Sequence, residues 1–330
     1  MNKTKIVQVG NILIGGGNPI SIQSMTNTDT RDIKSTVSQL KALEEAGADI
    51  VRLAVLDMDA AKSIKEIKSQ IKIPLIADIH FDYRLALESM KNGIDALRLN
   101  PGNIKDKEKV KEVIKEAKAR NLTIRVGVNG GSLDRAVYKE VSPENMVKSA
   151  GEHIKLMEDL NFTNIKVSLK SSDIKTTIDA NILFREKYDY PIHLGVTEAG
   201  TLRSSLIKST SALSYLIMNG IGDTIRYSIT GDPMEEVMAG KMLLKFLGLR
   251  KEPSVEIISC PTCGRCQVEV EEVASYIEKH VQNIKKNITI AIMGCVVNGP
   301  GEARHADFGV AGTGDGNFIY FEKENEPIKI

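Results

Sequence analysis

A (β/α)8 barrel followed by a small α+β domain is the fold class predicted for this 330-residue chain, and three observations predict it. Eight short apolar runs alternate with amphipathic stretches over the first 250 residues, a count and length that suit eight parallel strands closed into a barrel. Glycine stands where helical periodicity gives way to the next run, as in Glu45-Ala46-Gly47-Ala48-Asp49-Ile50 and Lys91-Asn92-Gly93-Ile94-Asp95-Ala96. All four cysteines fall at or beyond position 260, so the tail carries a chemistry that the first 250 residues lack.

The elements follow in order. Ile6–Gly17, ending in three glycines, reads as a hairpin that plugs the bottom of the barrel. The strands are expected at Ile20–Met25, Ile50–Val55, Pro74–His80, Ala96–Asn100, Thr123–Asn129, Ile165–Lys170, Ile192–Thr197 and Thr224–Thr230. Segments such as Ile33–Glu45 and Lys107–Arg120 carry apolar residues at helical spacing. Gly248–Pro253 reads as a linker, which divides the chain into a barrel domain (1–250) and a cysteine-bearing domain (251–330). The tail is expected to hold a strand at Val255–Ser259, a helix at Val268–Ile284, a strand at Ile288–Met293, a short helix near Glu302 and a hairpin ending in Phe318–Phe321. The glycine-rich run Gly309–Gly316 leads into a strand rather than a helix, so it reads as a hairpin turn and not a dinucleotide loop.

Composition narrows the function. Hydrophobic content of 42% and charged content of 26% suit a soluble globular protein. A net charge of +1 provides no field for nucleic acid or an acidic membrane surface. Trp is absent and aromatics are few, which argues against a stacking platform for single strands. The N-terminus has no apolar signal region, and no apolar run approaches the roughly 20 residues of a membrane span, so a cytoplasmic location is expected.

The strands carry the first functional signal. Parallel strands buried on both faces should be almost continuously apolar, yet several here alternate. In Ile124-Arg125-Val126-Gly127-Val128-Asn129 the polar residues hold one parity, as they do in Leu97-Arg98-Leu99-Asn100, Ile165–Lys170 and Thr224–Thr230. The apolar set must face the helices, so the polar set points into the barrel and converges on its C-terminal rim. Arg52, Arg98, Arg125, Lys170 and Arg226 then form a cluster of cations facing few acids, with Asp78, His80, Asn100, Asn129 and Ser228 beside them. Buried charge needs a partner, and the missing partner is expected to be an anionic, phosphate-bearing ligand. Lys166 sits early in its strand and is expected near the barrel bottom, outside the site. His193 is expected to be a core histidine with its hydrogen bonds satisfied.

The cysteines carry the second signal. Cys260-Pro261-Thr262-Cys263, followed by Cys266 and Cys295, suits either a four-cysteine zinc site or an iron–sulfur ligand set, and spacing does not separate them.

Seven motifs separate them. QSMTNTDT (23–30), ADIHFD (77–82), LRLNPGN (97–103), VGVNGGSL (126–133), LGVTEAG (194–200), SCPTCGR (259–265) and MGCVVNGPGEA (293–303) together resemble the 4-hydroxy-3-methylbut-2-enyl diphosphate synthase family, in the family's order. The absence of an inserted domain resembles the compact bacterial form. The resemblance implies one 4Fe-4S cluster per chain, held by Cys260, Cys263, Cys295 and Glu302, with Glu302 also serving catalysis. It implies the substrate 2-C-methyl-D-erythritol 2,4-cyclodiphosphate, and acid–base chemistry by Glu198. The implied partners are ferredoxin or flavodoxin as electron donor and a second copy of the chain in a head-to-tail homodimer. Cys266 departs from this ligand set although its spacing invites inclusion. Two rival readings are a zinc-containing barrel transferase of the dihydropteroate synthase kind and a zinc-ribbon nucleic-acid-binding protein.

Overall fold

The computed structural model describes residues 3–80, 82–99, 107–251, 253, 255–281, 284, 286–295, 297, 305–313, 317–323 and 328–329. The chain divides into two compact units, Met1–Arg250 and Lys251–Ile330.

The first unit opens with an antiparallel hairpin of β1 (Val7–Val9) and β2 (Ile12–Ile14). The barrel then alternates strand and helix. It runs β3 (Ser21–Met25), α1 (Ile33–Ala46), β4 (Ile50–Ala54), α2 (Met58–Lys68), β5 (Leu75–Ile79), α3 (Tyr83–Lys91), β6 (Ala96–Leu99) and α4 (Lys107–Ala119). It continues through β7 (Thr123–Asn129), α5 (Pro143–Glu158), β8 (Ile165–Lys170), α6 (Ile174–Lys187), β9 (His193–Leu194), α7 (Leu202–Met218), β10 (Thr224–Ile225) and α8 (Pro233–Phe246). The eight parallel strands lie in the order β8-β7-β6-β5-β4-β3-β10-β9, and a parallel bridge from Val167 to Ile192 joins the two ends. The fold is therefore a (β/α)8 barrel.

Local chemistry sets the corners. Asp32, Asp57, Asp82, Ser142, Asp173 and Asp232 each cap a following helix by accepting a backbone N–H of its first turn. Gly47 ends α1 at φ 102°, a left-handed conformation that returns its N–H to Glu44 and Leu43 carbonyls. Outward strand residues such as Leu53, Leu97, Val126 and Val167 join one apolar core with the helices. At the opposite end Val7, Val9 and Ile14 of the hairpin pack on Ile50, Ile76 and Ala96, the first inward residues of β4 to β6. The hairpin is thus a plug under the barrel.

β9 and β10 are only two residues long, against expected runs of Ile192–Thr197 and Thr224–Thr230. Beyond Ile225 the chain leaves the ladder so that the Ile229 N–H donates to the Glu236 carboxylate. Arg226 and Ser228 therefore sit on a coil at the rim rather than on a strand.

The second unit is a five-stranded mixed sheet. β11 (Val255–Ser259), β12 (Ile288–Met293) and β13 (Phe308–Gly312) are parallel neighbours. β14 (Phe318–Glu322) and β15 (Ile328–Lys329) continue it antiparallel. Helix α9 (Val270–Val281) crosses between β11 and β12 and starts two residues later than the expected Val268–Ile284. Gly309 to Gly312 lie in β13, so the first half of the glycine-rich run is strand, and residues 314–316 lie outside the described residues. A Cβ at Gly309 would stand 2.1 Å from the Phe321 ring, which explains a glycine inside that strand. The expected short helix near Glu302 lies outside the described residues.

Candidate active site

The barrel interior is charged. Asp78 on β5, Arg98 on β6, Arg125 on β7 and Lys166 on β8 are successive register partners, so they form one row across four strands. Partners in register share a face. Arg98 Nη1 lies 3.3 Å from Asp78 Oδ1, and Arg52 Nε lies 3.7 Å from Asp78 Oδ2. His80 Nε2 lies 3.4 Å from the same carboxylate. Burial pushes the Asp78 carboxyl up, but Arg52, His80, Arg98 and Arg125 together outweigh burial and hold it well below the usual carboxylate range.

Arg226 has its own acid. Its Nε and Nη2 donate to Glu236 Oε2 and Oε1 at 3.1 and 3.0 Å, a bidentate pair. Glu236 also accepts from Ser24 Oγ at 2.8 Å. The expected scarcity of acids therefore needs correction, because Glu236 reaches in from α8. In the sequence it is one of two adjacent acids in the first turn of α8. The available signal was its helical spacing with Gly240, Leu243 and Leu244, the buried face of α8. Met25 is a second omission: Arg52 donates Nε and Nη2 to its Sδ at 3.2 and 3.0 Å.

Arg125 and Lys170 are different. Both are buried, and neither forms an ion pair among the described residues. Burial first, then the surrounding arginines, pushes both far below their ordinary values. An arginine keeps its proton in such surroundings, so the strain falls on a lysine. Two glycines make room for Arg98 and Lys170. A Cβ at Gly127 would stand 3.0 Å from Arg98 Nε, and one at Gly195 only 2.5 Å from Lys170 Nζ. These glycines belong to the VGVNGGSL and LGVTEAG motifs.

Asn129 ends β7 in register with Lys170, and half-buried Ser228 follows Arg226 on the rim coil. Glu198 is exposed on the loop after β9, at a left-handed φ of 53° that is unusual for a residue with a side chain. Its Oε1 would lie 3.8 Å from a Cβ at Gly131, so its carboxylate overhangs the turn after β7. Asn100 lies outside the described residues.

Lys166 is the register partner of Arg125, and its Nζ lies 3.4 Å from the Oγ1 of Thr224, the first residue of β10. One expectation about the interior is corrected. His193 is fully buried, yet neither ring nitrogen has a hydrogen-bond partner among the described residues, so it is not a satisfied core histidine.

In the tail, Cys260 follows β11 and Cys295 follows its parallel neighbour β12, so both leave the same edge of the sheet. The Gly294 N–H donates to Cys260 Sγ at 3.1 Å. Cys263 is exposed, and hydrogen bonding from the Arg265 backbone favours its thiolate. Cys266 turns aside and donates its thiol to the Val268 carbonyl at 3.2 Å. Among the described residues no three His, Cys, Asp or Glu side chains are gathered closely enough to hold a metal, and Glu302 lies outside them. No helix among the described residues is long and apolar enough to cross a membrane.

Solved dihydropteroate synthases share the barrel. That from Stenotrophomonas maltophilia superposes with a TM-score of 0.57 at 12% identity, over 75% of this chain and 100% of its own. That from Yersinia pestis gives 0.55 at 11%, over 74% and 98%. Likeness at such low identity shows the fold alone. Curated sequences are far nearer. The 4-hydroxy-3-methylbut-2-en-1-yl diphosphate synthase (flavodoxin) of Clostridium perfringens (strain 13 / Type A) is 54% identical over 97% of this chain and 92% of its own length. The protein of the same description from Ruminiclostridium cellulolyticum is 54% identical over 98% and 92%. The GcpE TIM-barrel domain matches residues 4–241, and the GcpE protein C-terminal domain matches residues 256–329. Full-length identity of this order, with both domains in sequence, favours the synthase over either zinc-based rival. The chain therefore belongs to the GcpE family, the 4-hydroxy-3-methylbut-2-en-1-yl diphosphate synthases.

Proposed function

We propose that the barrel mouth binds 2-C-methyl-D-erythritol 2,4-cyclodiphosphate and that the chain reduces it to (E)-4-hydroxy-3-methylbut-2-enyl diphosphate, in the methylerythritol phosphate route to isoprenoids. The observation that carries the site assignment is a buried cationic interior in which Arg125 and Lys170 form no ion pair among the described residues. A compact dianion supplies the missing charge.

The reaction takes up two electrons. The ring C–O bond to phosphate breaks, the diphosphate becomes linear, a double bond forms, and one hydroxyl leaves as water with the protons consumed. Arg52, Arg98, Arg125, Lys170 and Arg226 hold the diphosphate and stabilise the charge that develops on the departing oxygen. Asp78 and Glu236 keep Arg52, Arg98 and Arg226 aimed, since each shares a carboxylate at 3.0–3.7 Å. His80, Asn100, Asn129 and Ser228 supply hydrogen bonds at the rim. Glu198, exposed on its strained loop, exchanges a proton with the substrate.

Cys260, Cys263, Cys295 and Glu302 would hold a 4Fe-4S cluster. The donor chemistry fits: two thiols leave adjacent parallel strands, a third is exposed nearby in sequence, and a backbone N–H already points at one sulfur. The cluster would supply single electrons and, through its carboxylate-ligated iron, an exchangeable position. Electrons would come from flavodoxin, named in the relatives' descriptions, or from ferredoxin. A cytoplasmic, head-to-tail homodimer completes the reading, with each site shared between chains.

The test is anaerobic purification with iron, sulfide and zinc analysis, followed by a turnover assay with the cyclic diphosphate and a reduced donor. One cluster per chain and product formation are expected. Stoichiometric zinc without sulfide would remove the reading. Mixed Lys170→Ala and Cys295→Ser chains should regain activity as heterodimers, and a fully active monomer would refute shared sites.

A further inference from the structure

The loop that carries Glu198 is held by hydrogen bonds that the proposed reaction does not itself use. Glu198 takes a left-handed φ of 53°, and Gly200 follows at 97°. That conformation is sparsely populated for a residue with a side chain and persists where the surroundings hold it. Here both flanks are held. Just before Glu198, the Thr197 N–H donates to the Ser171 carbonyl at 3.2 Å, next to the end of β8. Just after it, Ala199 is fully buried and clusters with Val196 and Ala212. Ser204 Oγ donates to the Ala199 carbonyl at 3.0 Å. The Thr230 N–H, from the rim coil, donates to the Gly200 carbonyl at 3.0 Å.

Ser204 belongs to the first turn of α7, where two hydroxyls serve the rim. Thr201, at the N-cap of α7, makes no side-chain cap bond. Half-buried Ser204 reaches back to the Glu198 loop, and a Cβ at Gly200 would stand 3.3 Å from its Oγ, so the serine lies directly against that loop. Ser205 is fully buried and donates its Oγ to the Ser228 carbonyl at 2.9 Å. Neighbouring residues of a helix point about 100° apart, which sends the two serines to different segments. One helix start therefore touches both the Glu198 loop and the coil that carries Arg226 and Ser228.

We infer that Ser204 is a positioning residue for Glu198: its hydroxyl fixes the Ala199 peptide and, through it, the direction of the neighbouring carboxylate. This rests on the proton-exchange role proposed for Glu198 above. Glu198 can relax to a common φ only if the chain after it swings. Ser204 holds the Ala199–Gly200 peptide and Thr230 holds the next one, so the swing is blocked. The Thr230 bond is made by backbone and survives a change of side chain. The Ser204 bond is the one that a substitution removes. Proton exchange depends steeply on the placement of the carboxylate, whereas the cations that hold the anion stand on other elements. Loss of the hydroxyl should therefore slow turnover without weakening binding.

The experiment measures turnover of the holoenzyme with the cyclic diphosphate and a reduced donor, and affinity by calorimetric titration of the oxidised holoenzyme without reductant. Alanine is smaller than serine and favours a helix, so Ser204→Ala removes the hydroxyl without crowding. Its kcat should fall roughly 5- to 50-fold while Kd stays within about twofold. Ser204→Thr keeps a hydroxyl and should recover most of the loss. Ser211, exposed on the same helix, donates within it to the Ile207 carbonyl, and Ser211→Ala should match the wild type. Iron and sulfide content should be unchanged throughout. Wild-type kcat in Ser204→Ala, or a loss of affinity as large as the loss of kcat, overturns the inference. So does an equal loss in Ser211→Ala, which marks a defect of the whole helix. Glu198→Gln separates the two readings. An inactive Glu198→Gln beside a wild-type Ser204→Ala leaves proton exchange by Glu198 standing and removes the positioning role, whereas a fully active Glu198→Gln removes both.

Discussion

The barrel and the tail treat polar groups in opposite ways. In the barrel, charges lie inside a shell of apolar side chains and touch one another through buried carboxylates at 3.0–3.7 Å. In the tail, the described core is a cluster of Ala291, Met293, Ala306 and Ala311, and the strands are half-exposed along most of their length. The barrel can therefore store electrostatic strain because its packing is independent of the site. The tail has little packing to draw on, and a unit of 80 residues with so small a core is the kind that a bound metal stabilises. Loss of the cluster should thus be a folding event in the tail, whereas loss of a barrel cation should be a binding event only.

The largest effect is expected where the tail loses a ligand. Cys295→Ser and Glu302→Ala should abolish turnover. Calorimetric melting should then show the tail unfolding separately and earlier, while the barrel transition stays in place. A single unshifted transition with intact turnover would erase the contrast between the two units.

The next effect lies in the barrel. Arg125→Ala should cost on the order of 2–3 kcal/mol of transition-state binding, roughly 30- to 150-fold in kcat/KM, with an unchanged cluster spectrum. Glu236→Gln should cost less in turnover but also destabilise the barrel by about 1–3 kcal/mol, because Ser24, Arg226 and the Ile229 N–H all use that carboxylate. Wild-type kinetics in Arg125→Ala would place the anion elsewhere.

The smallest effect sharpens the boundary of the metal site. Cys266→Ser should keep both cluster and turnover, since its thiol already donates to the Val268 carbonyl. Loss of iron in that variant, together with an active Glu302→Ala, would show an all-cysteine cluster with no exchangeable iron.

Much of this was readable in the chain. Alternation of eight apolar runs with helical stretches sufficed for the barrel, because a parallel sheet buried on both faces leaves a periodicity that few other folds produce. Parity within Thr123–Asn129 and Ile165–Lys170 sufficed to turn Arg125 and Lys170 inward, since side chains alternate along a strand whatever the tertiary context. The motifs around Cys260 and Cys295 pointed to the family.

Tertiary structure alone decided who stands beside whom. Sequence position places Lys166 near the start of a strand, but only the closed barrel pairs it in register with Arg125 and brings its Nζ within 3.4 Å of Thr224 Oγ1. Glu236 is one of two adjacent acids, and only the rotation of α8 against β3 turns it onto Ser24 and Arg226. His193 reads as an ordinary core residue, yet it is buried with both ring nitrogens unpartnered among the described residues. Residue type and spacing along one chain determine which face a side chain takes. The neighbours across strands, and hence the protonation and pairing of every buried charge, follow from register, which many weak contacts over the whole fold set together.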